Sequence, residues 1–278
     1  MKKRYTYAPF LAGIIFYGIT QIIFIALALN GWPGEYQNCS SYNGCHCESI
    51  QPDFIAQPTN TWSNLFFIMF GLWILWEVGA EERKGNNFQN PMIHVTLFSV
   101  IYAFTILITG MGSLYFHGSM RAWANMLDVI GMNMIISFFT LYDLHQLYPK
   151  KTVCFVLSFF GLNILFALFR IFLDSMRLLI FISLVIITFL IEFSLLLKGY
   201  EWREHPPSWL KNIKIQNRES KWFIIMICVF IIAIFVWLLW QDTGPLCVPD
   251  SWFQGHAIWH FLSALAPFAI YRYLRTEK

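Results

Sequence analysis

Long apolar stretches separated by short polar segments dominate this chain. Each stretch has about 20 residues, which is the length an α-helix needs to cross the hydrocarbon core of a bilayer. The pattern predicts eight helical spans, at residues 8–29, 61–79, 94–116, 124–147, 152–173, 177–197, 222–240 and 255–274. The first run is too long for the core of a signal peptide, which favours a retained helix. The chain is therefore predicted to be an all-α polytopic membrane protein.

The composition agrees with a membrane setting. Hydrophobic residues make up 57% of the 278 residues and charged residues only 13%, about half the share found in soluble domains. The net charge is +3, and no basic run alternates with aromatic residues in the way that nucleic-acid binding requires. A membrane is therefore a predicted partner and a nucleic acid is not.

The basic residues predict the orientation of the spans. If the N-terminus is cytoplasmic, all but three of the 19 Lys and Arg residues lie on that side, the exceptions being Arg121, Arg170 and Arg177. This asymmetry follows the positive-inside rule and places both termini in the cytoplasm. It fits either a bacterial inner membrane or an ER or Golgi membrane. Glu192, near the inner end of the sixth span, is expected to extend to the membrane surface.

On this orientation, four cysteines face the outer, oxidising side: Cys39, Cys45, Cys47 and Cys247. They predict one or two disulfides, and two bridges would allow three connectivities. A metal site around Cys45, His46 and Cys47 is the alternative, but three adjacent ligands strain a shared tetrahedral geometry. The disulfide interpretation is therefore favoured.

Five polar side chains within the spans are the candidate functional residues. Ser113 and His117 are four residues apart near the outer end of the third span, and Asp128 follows the outer start of the fourth. His256 and His260 repeat the same spacing at the outer start of the last span. Ionisable groups inside membranes are costly and indicate function by default. Three histidines from two helices, with one open position, are a common arrangement for catalytic zinc.

Two of these residues have structural alternatives. Asp128 could form an ion pair with Arg121. Ser113 could be a small packing residue beside Gly110 and Gly112, since small residues let membrane helices approach closely.

The same motifs resemble those of a known family. The run from Gly110 to His117, the Asp128 that follows it, and His256-Ala-Ile-Trp-His260 are similar to the alkaline ceramidases. These belong to the CREST superfamily of seven-helix membrane hydrolases. Cys47-Glu48 and the segment 60–64 extend the resemblance, which covers roughly residues 45–275.

The resemblance implies a fold and an activity. Residues 31–278 are expected to form a seven-helix ceramidase-like domain with a cysteine-containing outer loop at 31–60, and residues 1–30 an extra N-terminal transmembrane helix. His117, His256 and His260 are implied to bind Zn²⁺, with Ser113 and Asp128 in the same pocket. The implied reaction is hydrolysis of the N-acyl bond of a ceramide-like lipid to a sphingoid base and a fatty acid.

The chemistry follows from the residue types. Zinc held by neutral histidines lowers the pKa of its bound water to about 7. Asp128 would accept that water's proton and pass it to the leaving amine, while Ser113 would hydrogen-bond the oxyanion or the bound water. The alternatives are a receptor, scaffold or lipid-remodelling hydrolase of the superfamily, adiponectin-receptor-like or Per1-like, and a haem protein with two histidine ligands.

The resemblance also implies calcium bound by acidic residues of the N-terminal segment. Here Glu48 is present, but Gln57 stands where a glutamate is expected, and Cys45-His46 replaces an acidic residue and a tryptophan. The sequence therefore supports Zn²⁺ better than Ca²⁺.

Overall fold

The computed structural model describes residues 6–37, 46–51, 53–85, 90–147, 151–172, 177–205 and 217–278. Within these ranges the chain forms nine α-helices and no β-strand. The helices are α1 (Ala8–Leu29), α2 (Pro58–Ser63), α3 (Leu65–Lys84), α4 (Leu97–Ser119), α5 (Ala122–Leu147), α6 (Thr152–Phe172), α7 (Arg177–Glu204), α8 (Ser220–Leu239) and α9 (Gly255–Leu274).

Each of the eight predicted spans corresponds to one long helix, and the all-α polytopic fold is confirmed. Among the described residues, six helical segments are long and apolar enough to cross a membrane; α7 has a shorter apolar stretch, Leu179–Ser194. One difference lies at the second span. Its predicted start at residue 61 falls inside the separate short helix α2, and α3 runs on to Lys84.

Helix α4 forms the centre of the bundle. Of its most apolar 18 residues 72% are buried, compared with 11% in α1 and 17% in α8. It packs against α1, α2, α3 and α5, and α9 packs against α2, α3 and α8. The outer helices expose large apolar side chains, such as Ile22, Leu157 and Phe235, which is the pattern expected of lipid-facing surfaces.

Helix α1 is joined to the end of α4 by aromatic packing. The ring of Phe24 is 2% exposed and meets Trp32 and Tyr115 edge-on at centroid distances of 4.9 and 5.4 Å. A side chain at Gly118 would place its Cβ 2.6 Å from this ring. The absence of a side chain at Gly118 therefore allows the Phe24 ring of α1 to pack directly against the last turn of α4.

A buried ion cluster holds the opposite end of the bundle together. The guanidinium of Arg218 donates to Asp143 at 2.7 Å, to Glu192 at 2.5 Å and to Glu277 at 2.7 Å. The hydroxyl of Tyr273 also donates to Glu192, at 2.8 Å. Glu192 is 1% exposed, so the expectation that it extends to the membrane surface is wrong, because a buried arginine neutralises it within the bundle.

Candidate functional site

Two glycines bring the neighbouring helices close to Ser113. A Cβ at Gly110 would lie 2.5 Å from the Cβ of Phe67 on α3, and a Cβ at Gly112 would lie 2.7 Å from the Leu127 carbonyl oxygen on α5. Helix α4 therefore touches α3 and α5 backbone to backbone at this level. As a result Ser113, which is 3% exposed, lies next to the start of α5.

Helices α4 and α9 bring three imidazoles together. The Nε2 atoms of His117 and His256 are 3.2 Å apart. The ring of His260 lies 4.8 Å from that of His117 and 4.4 Å from that of His256, centroid to centroid. All three are at most 4% exposed. These are the residues that the sequence singled out as zinc ligands.

The spacing of these nitrogens fits a metal ion. Two nitrogen ligands bound at 2.0–2.1 Å to a tetrahedral zinc are about 3.3 Å apart, close to the 3.2 Å between His117 and His256. Neutral imidazoles with a free nitrogen are also the donor type that zinc prefers. The described residues therefore have the chemistry and the spacing to hold a metal ion.

A fourth imidazole, His46, lies against this group. Its ring stacks on that of His256, with centroids 3.4 Å apart and planes 15° apart. The nitrogens of His46, His117 and His256 lie within 4.8 Å of one another and could hold a metal ion. Burial lowers the pKa of His46 to about 3, so the ring is neutral, and its Nδ1 is buried without a hydrogen-bond partner. Sequence reasoning did not place His46 in the site; its position beside Cys47 was the available signal.

Two hydrogen bonds link the imidazoles to the short helix α2. The carbonyl oxygen of the Gln57 side chain lies 2.7 Å from Nδ1 of His117. The Ser63 hydroxyl lies 2.7 Å from Nδ1 of His260. Residues 57 and 63 thus contact α4 and α9 from opposite ends of one helix.

Ser113 and Asp128 lie beside the histidines. The Ser113 hydroxyl is 3.4 Å from Nε2 of His260 and interacts with the Asp128 carboxylate. Arg121, the alternative partner of Asp128, instead donates to the carbonyl oxygens of Gly34 and Gly31. The structure therefore brings the hydroxyl, the carboxylate and the three imidazoles together.

A disulfide connects the two loops at this end of the molecule. Cys47 bonds to Cys247, which is 200 residues away in the chain. The Ser49 N–H also donates to the Pro249 carbonyl, at 3.0 Å. One of the predicted disulfides is thus present, and Cys47 is not a metal-binding thiolate. Cys39 and Cys45 lie outside the described residues.

Glu48, the acidic residue that the calcium expectation rested on, has another role in this structure. Its two carboxylate oxygens accept the backbone N–H groups of Thr59 and Asn60, at 2.7 and 2.8 Å. These are unpaired donors at the start of α2, so Glu48 caps that helix. The Gln57 side chain is also engaged, with its amide nitrogen donating to the Glu48 carbonyl at 2.7 Å.

Comparison with known proteins places this site in a family. No curated protein matches the chain. The sequence model of the ceramidase family matches residues 36–277, a range that begins after α1 and includes α2 to α9 with all the candidate site residues. The match covers far more than half of the chain, and the protein therefore belongs to the ceramidase family.

Proposed function

We propose that this protein is a zinc-dependent membrane amidase that hydrolyses the N-acyl bond of ceramide-like lipids. One observation carries the proposal: imidazoles of α4 and α9 converge beside Ser113 and Asp128 in a chain of the ceramidase family. The products would be a sphingoid base and a fatty acid.

His117, His256 and His260 are the proposed ligands. A metal ion binds an imidazole nitrogen near the plane of the ring. Because the rings of His46 and His256 are stacked face to face, their in-plane lone pairs do not converge, and His256 rather than His46 would hold the ion with His117. His260 has no such conflict, because its ring is inclined at 74° to that of His256. The His46 ring then packs against His256, one of the proposed metal-binding residues, and does not itself bind the metal.

The chain's own residues supply the proton transfer. A bound zinc ion supplies Lewis acidity and an activated water at neutral pH. Asp128 accepts a proton from the water as its oxygen bonds to the amide carbon, and gives the proton to the nitrogen as the C–N bond breaks. The Ser113 hydroxyl, between Asp128 and His260, holds the carboxylate next to the ligands. One water is consumed, and an amine and a carboxylic acid form.

A membrane lipid suits this location. The site lies among helices whose outer faces are apolar, so a substrate with long chains can approach while those chains remain in hydrocarbon. The amide of a ceramide lies at the head-group border, at one end of the spans. Chains held in the bilayer orient the amide, and orientation contributes several kcal/mol to such reactions, roughly 7–11 at best.

The decisive experiment incubates purified protein with lipid amides, lipid esters and short soluble amides, with and without a zinc chelator. We expect long-chain ceramides to be cleaved orders of magnitude more efficiently than soluble amides, and cleavage to stop when zinc is removed. Cleavage of ester lipids with ceramides left intact would contradict the amidase proposal and favour another kind of lipid hydrolase. Stoichiometric zinc with no hydrolysis of any lipid would support a receptor or scaffold instead.

We further propose that residues 31–278 form the ceramidase-like domain, with residues 1–30 an added transmembrane helix. This is supported by the family match, which begins at residue 36. In the proposed orientation both termini are cytoplasmic, and the histidines lie toward the outer or luminal side.

A further inference from the structure

The helix α2 contacts the candidate metal ligands through nitrogens that would not face the metal. Gln57 precedes its first residue and Ser63 is its last. Each contacts an Nδ1 atom, whereas the Nε2 atoms of His117, His256 and His260 point toward one another or toward Ser113. The directions of these hydrogen bonds can be worked out from the atoms around them.

The Gln57 amide group has a single workable orientation. Its nitrogen donates to the carbonyl oxygens of Glu48 and His46, at 2.7 and 3.3 Å. Backbone carbonyls only accept hydrogen bonds, so the nitrogen must face them and the oxygen must face His117. An amide oxygen cannot donate, so Nδ1 of His117 carries the hydrogen. The lone pair of a neutral His117 is therefore on Nε2, 3.2 Å from Nε2 of His256.

Ser63 has the same effect on His260. A hydroxyl has one hydrogen, and that of Ser63 donates to the Asn60 carbonyl at 2.8 Å. With its hydrogen on that carbonyl, the Ser63 oxygen accepts a hydrogen bond from Nδ1 of His260, 2.7 Å away. The Asn60 carbonyl also interacts with His260, and it too can only accept. In this arrangement His260 carries its hydrogen on Nδ1, and its Nε2, 3.4 Å from the Ser113 hydroxyl, keeps the lone pair that a metal ion would use.

The backbone fixes α2 in this position. The N–H groups of Ala56 and Gln57 donate to the carbonyls of Gly118 and His117, at 2.9 and 3.0 Å. These carbonyls belong to the last turn of α4, where no helical partner remains. The Glu48 cap holds the first turn of α2 from the other side. The helix is thus tied directly to the turn that carries His117.

We propose that Gln57 and Ser63 are positioning residues that fix His117 and His260 in the Nδ1–H tautomer and present both Nε2 atoms to one metal ion. This inference rests on the proposed function, because it takes these histidines as ligands. A ligand histidine usually donates its second N–H to such a partner, and loss of that partner lowers metal affinity or activity roughly 10–100-fold. The role also requires an amide at position 57, since a carboxylate there would face the carbonyls of His46 and Glu48.

The test measures zinc affinity of the purified full-length protein by competition with a chromophoric chelator, with Co²⁺ absorption as a second readout. We expect Gln57→Leu and Ser63→Ala each to bind zinc 10–100-fold more weakly and to alter the Co²⁺ spectrum. Ser63→Thr keeps the hydroxyl and should restore wild-type affinity. The matched control is Thr61→Ala, which removes a buried 2.7 Å hydrogen bond to the backbone carbonyl of Gln57 at the start of the same helix but leaves the Gln57 side chain in place and touches no imidazole.

The outcomes separate this inference from the proposed function. If the wild-type protein binds no zinc, the proposed metal site fails. If the wild type binds zinc and both variants bind it equally tightly, α2 has no positioning role. A loss in Thr61→Ala as large as in Ser63→Ala would mean that α2 acts through stability alone. Should Gln57→Leu not fold, as judged by thermal unfolding in chelator, Ser63→Ala and its threonine rescue decide the question.

Discussion

Four imidazoles share one small volume at the end of α4, and their surroundings give them different roles. His117 and His260 have their Nδ1 atoms engaged by α2, whereas His46 stacks on His256 face to face. His117 and His260 each keep Nε2 free to bind a metal. The ring of His46 serves instead as a packing surface for His256.

This difference predicts unequal effects of two alanine substitutions. His260→Ala should abolish stoichiometric zinc binding, because it removes a proposed ligand. His46→Ala should retain zinc, because it removes only a stacking partner. Elemental analysis of the purified variants checks both, with His94→Ala, which loses a 3.1 Å contact to Glu82 away from the site, as a control. Zinc lost from His46→Ala and kept in His260→Ala would reverse the assignment.

Asp128 allows metal binding to be separated from turnover. Asp128→Asn keeps the shape of the side chain and its contact with Ser113 but removes the base. Zinc content should be unchanged, while kcat for ceramide falls roughly 10²–10⁴-fold, the usual contribution of a positioned general base. Turnover close to that of the wild type would assign Asp128 a structural role.

The residues of the site differ in how far the sequence could reveal them. His256 and His260 stand out because a four-residue spacing on a helix places both on one face. His46 and Gln57 carry no comparable local signal. Their contacts depend on a loop whose path is set by a disulfide to Cys247, and no periodicity encodes a contact over 200 residues.

At the scale of elements, the long apolar stretches predicted all eight long helices but not the break between α2 and α3. The break at Asn64 has no proline or glycine to mark it. The start of α2 depends on the Glu48 carboxylate, which belongs to a distant part of the loop. Hydropathy predicts which segment of the chain crosses the membrane, but tertiary contacts such as this one determine the residue at which the helix starts.

The close contact of α4 and α5 predicts a strong effect of one added methyl group. In Gly112→Ala the new Cβ would lie 2.7 Å from the Leu127 carbonyl oxygen, and backbone cannot move aside as a side chain can. We expect about 1–3 kcal/mol of destabilisation and lower activity, because Asp128 follows Leu127 directly. Gly161→Ala on α6, where no atom lies within 4 Å, should leave both unchanged. Thermal unfolding in detergent and ceramide turnover measure the two effects, and equal behaviour of the variants would contradict the packing argument.

At the scale of the whole molecule, the bundle has two differently built ends. Neutral imidazoles and a disulfide hold one end, and the charges around Arg218 hold the other. This ion cluster joins α5, α7 and the segment after α9. Positive-inside counting treated Arg218 as a surface charge, although its side chain is only 6% exposed.

Removing the arginine should therefore be costly. Arg218→Met leaves three buried carboxylates without their cation, and breaking such a cluster costs about 3–5 kcal/mol. Lys221→Met is the control, because Lys221 is 64% exposed and, among the described residues, its ion pair is the one with Glu219 at the surface. Unfolding in detergent should be shifted strongly by the first substitution and hardly by the second. Similar small shifts would show that the carboxylates tolerate the loss.

The proposed orientation is tested by thiol labelling in sealed vesicles. Cysteines introduced at Lys151 and Asp250, in a background without Cys154 and Cys228, should react with an impermeant reagent from opposite sides. The background without either addition controls for the remaining cysteines. Labelling of both positions from the same side would overturn the orientation and the outer location of the histidines.

The Cys47–Cys247 bond also has a consequence for biosynthesis. The loop that carries His46 and the helix that carries His256 and His260 are about 200 residues apart in the chain. The two parts of the site are therefore synthesised at widely separated times. Until α9 is inserted, His117 has neither His256 nor His260 as a neighbour, and Cys47 cannot bond to Cys247 until residue 247 has been made. The centre is therefore assembled late, after most of the bundle is in place, and a nascent chain arrested before α9 would carry an incomplete site.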